Sequence, residues 1–229
     1  MSKYKNISFV LNVFPAISET FIVNQIVAAI KAGFLVNIFA KKLFETQGSS
    51  QESLVDQYAL LNKCIEMSNV SSKRITNVNI ALRLLLKHKR KALFSLLKSF
   101  KYCKYGVNGF GLYPFIRSAS FLIDNSDMYH AQFGPNGNIL IEAKQLKLIK
   151  GKVITTFHGY DASNQFLPFD KLRVYYADLF KVGDIFTVNT PFLADLVLEL
   201  GCPVDKLRII PMGVDTGYFT YKQKEAHRN

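Results

Sequence analysis

Between Met67 and Ile123 the sequence has no aspartate and no glutamate. The same stretch carries eleven basic residues: Lys73, Arg74, Arg83, Lys87, Lys89, Arg90, Lys91, Lys98, Lys101, Lys104 and Arg117. Of 29 basic residues overall, 29 less these 11 leaves 18 to face 17 acids elsewhere, so the net charge of +12 belongs to one segment. Cysteine is scarce. Cys64, Cys103 and Cys202 are scattered, with no C-x-x-C and no Cys/His spacing suited to zinc, which excludes a disulfide framework and points to reduced thiols in a cytoplasmic protein. No uncharged run approaches the roughly 20 residues a spanning helix needs. The apolar run near the N-terminus is interrupted by Asn12 and ends at Pro15, a poor match to a signal peptide.

Other absences narrow the chemistry. Neither G-x-G-x-x-G nor G-x-x-x-x-G-K-[ST] follows the first predicted strand, so dinucleotide and P-loop phosphate binding lack their usual backbone approach. No G-x-S-x-G exists to supply a nucleophile elbow. No D-x-D appears, so no metal site is assigned. Disorder is excluded by a 49% apolar composition, and the 229 residues suffice for a sizeable core.

What is present alternates. Ile7 to Phe14 reads as a buried strand. Ser18 is expected to cap a helix with Glu19 in its first turn; Phe21, Ile22, Ile26, Val27 and Ile30 form its apolar face, and Gly33 its stop. Phe34 to Ala40 reads as a second strand, and the βαβ unit implies parallel pairing with a right-handed crossover. Residues 45–57 read as loop. A basic, leucine-rich helical insertion follows over about 73–123, its last helix near 115–123. The alternation then resumes: strands 128–133, 152–157, 184–188 and 207–210, with helices 138–148, 170–180 and 191–200. Thr190-Pro191 marks a helix start and Gly201 a stop. The expected fold is a Rossmann-like, doubly wound parallel α/β sheet over residues 1–213, with 214–229 as linker or tail.

In such a sheet ligands bind beyond the carboxyl ends of the strands. Four loops fall there: 15–20, 134–137, 158–161 and 189–190. Ser18, Glu19 and Thr20 open a helix whose free amides suit an anion, although Ser18 alone reads as a cap. His130 lies among apolar neighbours, where a hydrogen-bonded core role competes with a functional one. His158 is a stronger candidate, because Gly159 permits close ligand approach and Asp161 is near enough to orient an imidazole or bind a hydroxyl. His88 and His227 read as surface and tail. The basic segment, centred on Lys87, Lys89, Arg90 and Lys91, suits an anionic membrane surface. A plain solvated face is the alternative, and nucleic acid is disfavoured because stacking aromatics are sparse there.

Four stretches in order, FPAISETFI, HAQFGPNG, TTFHGYDAS and VNTPFLADLVLELGCPVDKLRIIPMGVDTGYF, resemble the bacterial family 4 glycosyltransferases that build exopolysaccharide and colanic-acid-type polymers. The match covers nearly the whole chain and is weakest in the helical insertion. The resemblance implies one half of a GT-B fold, the acceptor-side domain, in a retaining enzyme that uses a nucleotide sugar as substrate and needs no metal or other cofactor. It places His158 and Asp161 at the transferring sugar, and Ser18, Glu19 and Thr20 along the cleft near donor phosphate or acceptor. His130, Asn136, Gly159 and Asn189 become substrate-binding candidates. The resemblance implies a lipid-linked or oligosaccharide acceptor; the basic segment adds an anionic membrane surface as an expected partner, and the lack of a donor domain in the sequence a separate donor-binding polypeptide. The expected location is cytoplasmic, peripheral at the inner membrane. Because the sequence ends soon after PMGVDTGYF, the chain alone is expected to be inactive or to need a partner; a non-catalytic membrane-surface or partner-binding module is the competing reading.

Overall fold

A computed structural model describes residues 5–16, 18–44, 51–100 and 112–213. Seven strands form one sheet: β1 (Asn6–Phe14), β2 (Leu35–Leu43), β3 (Cys64–Glu66), β4 (Met128–Gln132), β5 (Lys152–Thr156), β6 (Ile185–Val188) and β7 (Leu207–Ile209). Every adjacent pair is parallel and the order is β3-β2-β1-β4-β5-β6-β7. The sheet therefore grows outward in both directions from the β1–β4 pair, as expected of a doubly wound fold.

The helices are α1 (Thr20–Lys31), α2 (Glu52–Gln57), α3 (Arg74–Ser99), α4 (Leu112–Ser118), α5 (Gly134–Gln145), α6 (Phe169–Val182) and α7 (Pro191–Glu199). Right-handed crossovers put α1 and α5–α7 on opposite faces, because β1→β2 and β4→β5 travel in opposite directions. The period-2 alternation of each strand then separates two cores. Phe9, Leu11, Ile38 and Ala40 pack with Ile22, Val23, Ile26 and Val27 of α1 and with Val55 of α2. Val10, Phe39, Tyr129, Val153 and Phe186 pack on the other face with α3–α7. Over β4–β7 the α1 face carries no helix among the described residues, and the cleft described below lies there.

Several boundaries differ from the sequence-based expectation. Ser18 is exposed and does not cap α1; Glu19 takes that position, with its backbone oxygen accepting from Ile22 and no side-chain cap bond. Part of the expected loop 45–57 is α2, and residues 45–50 lie outside the described residues. The edge strand β3 was not predicted; three residues are too few to show a period. The helix expected from Asn138 begins at Gly134, so Gly134-Pro135-Asn136-Gly137 is its first turn and not a loop. The expected tail from residue 214 also lies outside the described residues. Thr190-Pro191 and Gly201 hold as signals: Thr190 Oγ1 accepts from Leu193 N at 3.2 Å, and Gly201 follows α7 at φ 105°.

Candidate functional site

A cleft of about 510 Å³ lies on the uncovered sheet face, floored by β4–β7 and walled by α1. Strand register explains its floor. Gln132, Thr156, Thr187 and Arg208 stand opposite one another across four strands, so they form one polar row on one face. His130, Ile154 and Ile185 form the row beneath. Ile210, Met212 and Gly213 close the β7 side, while Phe21, Asn24 and Gln25 close the α1 side.

The polar groups are linked. His130 Nε2 lies 2.7 Å from Thr156 Oγ1, which lies 2.6 Å from Thr187 Oγ1. Gln132 Nε2 donates to Gln25 Oε1 at 2.6 Å, leaving Gln132 Oε1 to accept at 2.8 Å from His158 Nε2. That assignment puts the His158 proton on Nε2 and leaves Nδ1 as an acceptor. The ring is wedged between Phe21 and Phe133, with centroids at 4.9 and 4.5 Å. Burial pushes His158 down to about 4, and burial together with the nearby His158 pushes His130 down to about 4. Both imidazoles are neutral at pH 7, suited to hydrogen bonding and poorly suited to holding a proton.

Asp161 behaves differently from a catalytic acid or imidazole partner. Its carboxylate is buried and accepts backbone bonds from Gly134 (2.7 Å), His158 (2.9 Å) and Gly159 (3.1 Å). It holds the main chain of the 158–161 loop against the start of α5, and its hydrogen bonds go to backbone amides, not to the His158 ring. Burial raises its carboxyl above the ordinary range, with those amide bonds opposing the rise. Gly159 sits in the loop at φ 107°, where a side chain is strained.

Of the residues expected at the site, His130, His158 and Asn189 line the cleft. Ser18, Glu19 and Thr20 do not; α1 contributes the next turn instead, through Phe21, Asn24 and Gln25. The Glu19 carboxyl is half-buried and held above its usual range by burial. Asn136 is fully buried beneath the cleft, its Nδ2 donating to Gln132 O at 2.7 Å. Gln132, Thr156, Thr187 and Arg208 escaped the sequence reading. Alternation from His130 places Gln132 on the same face, and counting in register would have found the rest. Among the described residues no group of three or more His, Cys, Asp or Glu could hold a metal ion.

The basic cluster splits. Lys87, Lys89 and Arg90 are exposed, whereas Lys91 turns inward and donates to Leu122 O at 2.9 Å. Lys91 is thus a strut between α3 and the turn before β4, not part of a membrane-facing group. Among the described residues no helix is long and apolar enough to cross a membrane.

A doubly wound parallel sheet with a cleft on its open face, a row of polar side chains set among apolar ones, is the build of a Rossmann-like binding domain. The chain belongs to glycosyltransferase family 4, whose family model matches residues 73–218. It is 28% identical over 233 residues to WcaL of Salmonella typhimurium, named as a colanic acid biosynthesis glycosyltransferase, covering 96% of this chain and 53% of that protein. It is 27% identical to the amylovoran biosynthesis glycosyltransferase AmsK of Erwinia amylovora, covering 93% and 52%. The chain thus spans about half the length of these curated relatives. Among solved structures, a UDP-N-acetylglucosamine 2-epimerase aligns over 90% of this chain and 48% of its own, at 14% identity and a TM-score of 0.44.

Proposed function

We propose that the cleft is the acceptor-side wall of a sugar-transfer site in a retaining glycosyltransferase of surface-polysaccharide synthesis. The observation that carries this reading is the His158 ring, held at 2.8 Å by Gln132 and lining a cleft in which the side chains of Thr156, Thr187 and Asn189 stand among apolar ones. Two relatives named for polysaccharide biosynthesis support it. The substrates are a nucleotide sugar and a lipid-linked or oligosaccharide acceptor. In the reaction an acceptor hydroxyl oxygen bonds to the anomeric carbon, the bond from that carbon to the diphosphate breaks, and the hydroxyl proton leaves with the diphosphate. A histidine pushed down to about 4 is too weak a base to take that proton at neutral pH. Its role is to orient a sugar hydroxyl, while Thr156, Thr187 and Asn189 offer further hydrogen bonds and Arg208 a cation at the rim. The nucleotide is assigned to polypeptide beyond the described residues, on the same chain or a separate one.

The test is made in the producing cell. A chromosomal His158→Ala change should lower surface-polymer output about 100-fold, the size of effect expected when a reacting group is misplaced. His88→Ala, on α3 away from the cleft, should leave it unchanged. Polymer at wild-type amounts from the His158→Ala strain overturns the reading.

A further inference from the structure

α3 is built inside out. Its most buried positions hold small residues, Ala81, Ala92, Ser95 and Ser99, while large apolar side chains point to solvent. Before the break at Lys89 (φ 40°, ψ −114°) these are Ile75, Val78, Leu82 and Leu86, the first and last 78% exposed. Spacings of three, four and four place them on a single stripe of the helix. After the break, Leu93, Phe94, Leu97 and Phe100 are exposed and form a second stripe. Leu84, Leu85 and Leu96 pack inward, so the core interface of α3 is already supplied. Two stripes of exposed large apolar side chains on one helix mark an interaction site.

The charge pattern says what covers it. Exposed Arg83 and Lys87 run beside the first stripe, and exposed Lys89 and Arg90 stand at the break between the two. Lys98 lies 4.8 Å over the Phe94 ring. No acidic residue occurs from 68 to 122. A second copy of this chain seated on the stripes brings two cationic surfaces together, and a nucleic acid leaves the leucines unpartnered. Anionic phospholipid offers acyl chains for the apolar stripe and phosphates for the flanking cations. We propose that the exposed face of α3 docks in the interface of an anionic phospholipid bilayer, with the apolar stripes entering the acyl boundary and Arg83, Lys87, Lys89 and Arg90 at headgroup level. This inference is independent of the sugar chemistry.

The absence of tryptophan makes the test direct. Phe94→Trp on the face and Val174→Trp at an exposed position of α6 each place one indole in the full chain. With phosphatidylcholine vesicles containing 30% phosphatidylglycerol, the indole at 94 should shift to the blue and be quenched by brominated acyl chains. The indole at 174 should do neither. Sedimentation should show at least ten-fold stronger partitioning onto these vesicles than onto pure phosphatidylcholine. Arg83→Glu/Lys87→Glu/Arg90→Glu and Leu82→Ser/Leu86→Ser/Leu97→Ser should each reduce it ten-fold or more; these positions are exposed, and unchanged thermal melts verify the fold. Equal binding to neutral vesicles, unchanged binding by the serine variant, or light scattering that shows dimers with no vesicle binding overturns the proposal.

Discussion

His130 and His158 lie in a setting that disfavours their protonated forms, and this links the candidate site to stability. An unfolded histidine takes up its proton near pH 6.5, whereas both folded ones are pushed down to about 4 by burial. Between those values the unfolded chain binds more protons, so acid favours unfolding. Their contribution is complete above pH 6.5 and is lost as pH falls toward 4. It amounts to roughly 1–3 kcal/mol per histidine. Calorimetric melts from pH 7.5 to 4.5 should show a steeper fall for the native protein than for His130→Gln/His158→Gln. Parallel curves would mean the imidazoles are more solvated than their burial implies. His158 was legible in the sequence because a histidine followed by glycine at a strand end is conspicuous. Gln132 and Thr187 were not, since an isolated polar residue in a strand announces a face only once the register is known.

At the scale of elements, one carboxylate joins two loops that sequence reading treated separately. The residue preceding α5, Phe133, has φ 71° and no side-chain cap. The cap comes from Asp161, 27 residues beyond Gly134, whose carboxylate accepts from Gly134 N and places negative charge at the positive end of the helix. This is why α5 starts at Gly134, earlier than its local sequence indicates: the signal that starts it lies on another strand's loop. Close packing reinforces the junction, since a Cβ at Gly134 meets Phe157 and Tyr176 at 2.6 Å. Asp161→Ala leaves three backbone N–H groups without their acceptor and should cost about 3 kcal/mol or more. Asp161→Asn keeps one acceptor oxygen and should cost less. Urea melts of the two variants check this; a loss below about 1 kcal/mol for the alanine variant would show that water replaces the carboxylate.

At the scale of the whole molecule the two faces of the sheet differ in kind. The α/β alternation, the parallel order and most helix positions were readable from periodicity and from caps such as Thr190-Pro191. The uneven cover of the sheet was not, because it follows from crossover direction: β1→β2 and β2→β3 send α1 and α2 to one face, and every later connection goes to the other. The consequence can be read from two neighbours on β6. Phe186 points to the covered face, is 0% exposed, and packs against Phe157 and Phe180 at 6.5 and 5.2 Å between centroids. Ile185 points to the open face, lines the cleft and is 40% exposed. Phe186→Ala should therefore cost about 3–5 kcal/mol, the transfer loss plus a cavity. Ile185→Thr should cost no more than about 1 kcal/mol, because threonine keeps the β-branch and the position is already 40% exposed, with only the cross-strand contact to Ile154 weakened. Denaturant melts of both variants at pH 7.5 decide it. If Ile185→Thr costs as much as a core truncation, the face over β4–β7 is covered in solution and the cleft is not open to a sugar.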